Sequence, residues 1–279
     1  MIKITSLVLA LMPAFALAAT PPEKTRCDAE IAGSSPAAVP LCRSWLDLAL
    51  TGTSPDEKAS AELDYATALE ASGRAGEALR HCEQASQWAQ LSQSPLAIAM
   101  TSGALVRHYY QAKDFARMMP VADQAIDSHG KLLGRSHPTS LALIALRADA
   151  RRLSGDPQGA LADADAALAS ASDSNPGHTE VMAQLLNIRA LSLDKTGQAK
   201  AALPEYLRAA KLMEKVNAGA AVTLWRNVRS AWTEATPGAD TTAIDERIAF
   251  LMRQASGQNQ DSALAPNVSL AFDDASVKP

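Results

Sequence analysis

Four positions at spacings of seven, five and seven residues recur along this chain, and no other feature constrains its fold as tightly. Ala66, Gly73, Ala78 and Ala85 set the pattern. It returns as Val106, Lys113, Met118 and Ala125, as Ala148, Gly155, Ala160 and Ala167, and as Ala190, Gly197, Ala202 and Ala209. A weaker fifth copy is Ala231, Gly238, Ala243 and Phe250. The copies follow one another every 40 to 42 residues. A helical unit of that length cannot bury its apolar face alone, so neighbours must stack, and an all-α solenoid of about five helix-turn-helix repeats is expected over 54–255. Composition agrees. Hydrophobic residues make up 47% of the chain but aromatics only 4%, so the core is built from Ala and Leu, strong helix formers. Small side chains such as Ala also let helices approach closely.

Start and stop signals fall on the same period. Ser54-Pro55-Asp56-Glu57 offers a capping hydroxyl, a proline for the first turn and two carboxylates at the positive end of the helix dipole. A helix is expected from there to about Ser72, a reversal at Gly73, and a second helix from about Ala75 to Gln90. Ser94-Pro95, Ser136-His137-Pro138 and Asn175-Pro176 repeat the start signal. The reversal is the place for a residue in the left-handed region, where glycine is cheapest. Lys113 and Met118 depart from the template, which predicts a looser or slightly rotated second unit. Phe250 in place of alanine predicts a C-terminal cap.

The small residue in the first helix, the glycine at the reversal and the two alanines in the second resemble the tetratricopeptide repeat (TPR). Ala190-Leu191-Ser192-Leu193 through Gly197, Ala202-Leu203, Tyr206 and Ala209 is the nearest copy, and Gly155-Asp156 with Ala160-Leu161 and Ala167-Leu168 follows it. The period of about 42, with Leu133-Gly134-Arg135-Ser136-His137-Pro138 leading into a unit, is similar to the longer repeats of kinesin light chains. The resemblance implies a right-handed α-solenoid whose first helices line a concave groove that holds peptides or helices. It names no ligand.

The ends differ from the array. Lys3, the mostly apolar stretch Ile4 to Leu17 and the small-x-small Ala16-Leu17-Ala18 predict a signal peptide over 1–18, of the kind bacterial chains carry, cleaved after Ala18. Thr20-Pro21-Pro22-Glu23 follows, the apolar stretch is short for a span of about 20 residues, and no other window suits a membrane. Export predicts a periplasmic or secreted chain in an oxidising compartment. Cys27 and Cys42, on either side of Gly33-Ser34-Ser35-Pro36, are placed to staple an N-terminal helical cap over 19–53. A loop of that size is worth about 3 kcal/mol. Cys82 is then the odd cysteine on an inner helix face, with a Cys42 to Cys82 bridge as the competing pairing. From Ser256 to Pro279 helical periodicity is lost, and a disordered tail is expected. Its Asn267-Val268-Ser269 fits a glycosylation acceptor only formally.

Catalytic and metal motifs are not found. The five histidines, His81, His108, His129, His137 and His178, show no metal-ligand spacing, and no Walker loop, G-x-S-x-G or G-x-G-x-x-G occurs. No metal, cofactor or catalytic residue is therefore assigned. Asp163-Ala164-Asp165 suggests a solvated helix face. The formal charge of −4, without a basic run, gives nucleic acid no footprint.

The functional content is a stripe on the first helices, facing away from Ala66, Ala148 and Ala190. It carries Arg107 and Tyr110, Asp149 and Arg152, Asn187 and Asp194, and in the last unit Trp225, Val228 and Trp232 with Arg229 beside them. Arg, Tyr and Trp are the usual binding hot spots. Two alternatives stand beside that reading: cross-helix ion pairs for the charges, and cap packing for Trp225 and Trp232. The Lys and Asn set that clamps peptide C-termini in this family is not reproduced. The sequence therefore predicts an exported, non-catalytic scaffold or adaptor that holds a protein or peptide partner in the bacterial envelope. The alternative is a secreted effector or regulatory subunit that docks a separate enzyme.

Overall fold

The computed structural model describes residues 20–257. The expected leader over 1–18 and the tail from residue 258 onward, with the Asn267 acceptor, lie outside the described residues. Within them the chain forms twelve α-helices and one 3-10 turn: α1 (Pro22–Ala32), α2 (Ala38–Thr51), α3 (Pro55–Ala71), α4 (Ala75–Ser92), α5 (Pro95–Gln111), α6 (Phe115–Leu133), α7 (Pro138–Leu153), α8 (Pro157–Ser170), the turn Pro176–His178, α9 (Thr179–Lys195), α10 (Ala199–Glu214), α11 (Ala218–Ala235) and α12 (Thr242–Ala255). None of these helices is long and apolar enough to cross a membrane. The helices divide into two compact units, one ending at Ser154 and the other beginning at Gly155.

The caps act where the sequence placed them. The Ser54 hydroxyl accepts from the Glu57 amide and Ser94 from Ala97, each at 3.3 Å, with Pro55 and Pro95 opening the helices. His137 caps α7 through Nδ1, 3.2 Å from the Thr139 amide. Asn175-Pro176 opens the 3-10 turn rather than α9 itself, because Asn175 accepts from the Gly177 amide at 3.0 Å and the helix starts only at Thr179.

The reversals carry the repeat. Gly73, Gly155, Gly197 and Gly238 have φ of 82°, 89°, 78° and 81°, and Lys113 occupies the same left-handed region at 57°. The Asp114 amide donates to the Tyr109 carbonyl at 2.9 Å, matching the Arg74 to Leu69 and Gln198 to Leu193 bonds of the glycine turns. Val106 and Met118 are as fully buried as the alanines they replace. The loosening expected of the second unit is thus not seen at its turn, since the bonds that close the helix hold Lys113 in a conformation costing a non-glycine residue about 1 kcal/mol.

The first unit buries Trp45, Leu46, Leu69, Val106 and Met118 among alanines. Cys27 and Cys42 form a disulfide between α1 and α2, and Cys82 is free and buried. That excludes the competing Cys42 to Cys82 pairing. Burial pushes the Cys82 thiol up to about 12, so it behaves as a small apolar side chain. Cys27 also lies within metal-ligand reach of Asp28 and Asp64. Its sulfur is spent on Cys42, however, and Lys24 sits 3.1 Å from Asp28 and 3.2 Å from Asp64.

The second unit is built on Leu186, Tyr206, Met213, Trp225, Val228, Ile244 and Leu251. Its last hairpin corrects the fifth copy of the template. The other reversals separate their helices by three residues, whereas α11 ends at Ala235 and α12 begins at Thr242. The buried positions fall 42 residues after Ala202 and Ala209, one later than the template copy, so Ile244 and Leu251 are buried while Ala243 is exposed and Phe250 only partly covered.

Candidate functional site

Residues three and six positions before each reversal share one face of the first helix, and in the first unit those faces are joined. Glu70 of α3 receives Gln111 Nε2 at 3.3 Å and stands 3.7 Å from both Arg107 Nη2 and His108 Nε2 on α5. The Tyr110 hydroxyl, also on α5, donates to Asp149 of α7, which accepts Arg152 Nε at 2.8 Å on its other oxygen. Burial and the Asp149 carboxylate push the Tyr110 hydroxyl far above the usual tyrosine range. Asp149 and Arg152 are each 16% exposed and pair through Arg152 Nε and Nη2.

Arg107 is different. It is 23% exposed, its distance to Glu70 is an ion-pair distance longer than a hydrogen bond, and its Nε is a buried donor with no acceptor among the described residues. A guanidinium presents five donors in a rigid fork suited to a carboxylate, and this one has donors to spare.

The equivalent faces of the second unit are spent internally. Asn187 of α9 accepts from Asn227 Nδ2 of α11 at 2.8 Å. Asp194 accepts the Tyr206 hydroxyl of α10 at 2.5 Å, and burial holds its carboxyl above the ordinary aspartate range despite that bond. Trp225 is 1% exposed, donates its indole N–H to Glu214, and belongs to the core. The sequence placed it on a binding stripe. Of the two readings, stripe and cap packing, burial decides for packing and corrects the binding placement: Trp225 and Val228 stand 42 residues after the buried Ala183 and Leu186 and share a core with Ile244 and Leu251. Trp232 is half-buried and donates to the Asp240 carbonyl at 3.3 Å, and Arg229 pairs with Asp245 at 2.7 Å on an open surface. Of the ten stripe residues, Arg107, Tyr110, Asp149 and Arg152 come together in the first unit, Asn187 and Asp194 stand apart in the second, Trp225 and Val228 are buried, Trp232 is half-buried, and Arg229 lies in the open.

Two features were not found from the sequence. Asp163, expected on a solvated face, is 6% exposed, while Asp165 pairs with Arg189 at 2.7 Å. That pair has a counterpart in the first unit, Arg147 with Asp123 at 2.6 Å. Both span 24 residues, and each joins template-equivalent positions eight before one reversal and ten after the previous one. Aligning polar positions as well as the small ones would have exposed this clasp.

No family model and no curated protein matches the chain. Among solved structures it is similar to nearly identical TPR-like repeats from a Podosopora anserina protein described as a kinesin light chain. The TM-score is 0.57 at 19% identity, over 69% of this chain and 94% of that one. The fold is TPR-like.

Proposed function

We propose that this chain is an exported, non-catalytic TPR-type scaffold of the bacterial envelope, which holds a protein or peptide partner along the first helices of its N-terminal unit. The observation that carries this is Arg107, a partly exposed cation on the stripe whose pairing with Glu70, at 3.7 Å, is longer than a hydrogen bond. A carboxylate on an incoming segment can pair with the exposed part of its guanidinium, while the Tyr110–Asp149–Arg152 cluster ties α5 to α7. The reading draws its export step from the leader and the Cys27–Cys42 bond, which suits an oxidising compartment.

The test is affinity capture from periplasmic extract with the wild-type chain and an Arg107→Ala variant, each checked for an unchanged melting temperature. The wild type is expected to retain a partner that binds the variant about tenfold more weakly, a typical hot-spot loss. Capture of nothing by the wild type, or equal capture by both, rejects the proposal.

A further inference from the structure

Glu70 and Arg107 face each other on the stripe without closing on each other. On α7, Arg152 reaches Asp149 at 2.7 Å and Arg147 reaches Asp123 at 2.6 Å. Arg107 Nη2, in contrast, stops 3.7 Å from Glu70, too far for a hydrogen bond. The Glu70 carboxylate is held instead by Gln111 Nε2, at 3.3 Å. Glu70 and Arg107 are 29% and 23% exposed, so an incoming segment can reach both.

Glu70 depends on Arg107 for its charge balance. It lies in the last turn of α3, at the negative end of the helix dipole, and that turn carries no basic side chain. His108 Nε2 is also 3.7 Å away. Its ring is buried, however, and burial lowers its pKa below the ordinary 6.5, so it brings no charge at neutral pH. Among the described residues Arg107 is therefore the permanent cation within ion-pair distance of Glu70, and Glu70 is the carboxylate within that distance of Arg107.

A carboxylate that docks on Arg107 upsets this balance. It competes with Glu70 for the guanidinium and stands beside it as a like charge. The conflict is removed when the same segment brings a cation to Glu70, because each charge then exchanges one partner for another.

We infer that Glu70 determines which segments Arg107 accepts: the docking segment carries an aspartate or glutamate for Arg107 and, on the same face, a lysine or arginine for Glu70. Two such charges share a face about four residues apart on a helix or two apart on an extended chain. A wholly acidic segment meets Glu70 as a repulsive element and is disfavoured. This inference rests on the proposed docking at Arg107 and adds the charge pattern of what docks.

The test uses the full chain, isotope-labelled at arginine nitrogen and followed by NMR. It is titrated with two acetylated, amidated alanine peptides, one carrying a glutamate and a lysine two residues apart, the other carrying glutamates at both places. The Arg107 side-chain signal is assigned by its loss in Arg107→Lys. In the wild type the mixed peptide is expected to shift that signal at about fivefold lower concentration than the diacidic one. The preference should vanish or invert in Glu70→Gln and in Glu70→Ala, each checked for folding by a circular dichroism melt. The same preference in the variants, equal shifts from both peptides in the wild type, or no shift from either overturns the inference. Capture of nothing from periplasmic extract, with the peptide preference intact, rejects the proposed function and leaves the charge rule of the site standing.

Discussion

The two units apply one repeat template to different ends on their first helices. In the N-terminal unit the outward positions are charged and reach from helix to helix, through Glu70 with Arg107 and through Tyr110, Asp149 and Arg152. In the C-terminal unit polar residues of that face close on themselves, as an amide pair between Asn187, one turn further from the reversal, and Asn227, and as Asp194 held by Tyr206. Trp225, the largest candidate for recognition there, is core. The repeat therefore fixes where a side chain stands but not whether it is free. That depends on whether the neighbouring helix supplies a complementary partner, and in the first unit the buried Nε of Arg107 is left without an acceptor among the described residues.

Trp225→Ala bears most heavily on this contrast. It removes a buried indole and leaves Glu214 without one of its donors, so about 3–5 kcal/mol of stability should be lost from the C-terminal unit. Hydrogen exchange should show α9 to α12 opening while α3 to α6 stay protected. A variant of native stability that has lost only partner binding would return Trp225 to the surface role. Asp149→Asn comes next. It takes the charge from between Tyr110 and Arg152, and a loss of about 1–2 kcal/mol confined to the N-terminal unit is expected in denaturant melts. An unchanged melt would mean the cluster does not hold α5 to α7.

Lys113→Gly should act in the opposite direction. The left-handed backbone at Lys113 is native for glycine at the matching turn of the other unit, Gly197, so a gain of roughly 0.5–1 kcal/mol in midpoint stability is expected, part of the relieved strain being offset by glycine's larger unfolded-state entropy. A loss would show that the lysine side chain contributes more than its backbone strain costs.

The smallest effect is a pH dependence in the N-terminal unit. His129 is buried against Gly103, where an added β-carbon would come within 3.1 Å of the ring, and its Nδ1 lies 2.8 Å from the Ala125 carbonyl. Burial lowers its pKa below the ordinary 6.5. The neutral ring's contribution is thus fully present above that value and is lost as pH falls through the depressed one. The melting temperature should drop between neutral and mildly acid pH by less in His129→Gln than in the wild type. Equal drops would remove His129 from the account.

Much of this was legible in the sequence because it depends on local chemistry repeated at a fixed period. Ser54, Ser94 and Pro138 mark helix starts through their own backbone effects, the glycines mark reversals through φ, and the single Cys27–Cys42 loop closes over a short turn. The misplacements have one kind of cause, contacts set by tertiary geometry. Burial in the last unit falls one residue later than the template copy, at Ile244 and Leu251 rather than Ala243 and Phe250, and Trp225 is inside with them. Asp163 looked solvated because its helix was taken alone. Whether a stripe residue is satisfied depends on a partner 24 to 41 residues away, as in Arg147 with Asp123 and Glu70 with Gln111, and no local pattern encodes that.

The most direct measurement is the affinity of one captured partner for three proteins: wild type, Arg107→Ala and Asn187→Ala. The account predicts about tenfold weaker binding for Arg107→Ala and binding within about twofold of wild type for Asn187→Ala, whose amide is already paired within its own unit. Equal losses from both variants, or a larger loss from Asn187→Ala, would contradict the claim that the N-terminal unit carries the recognition surface.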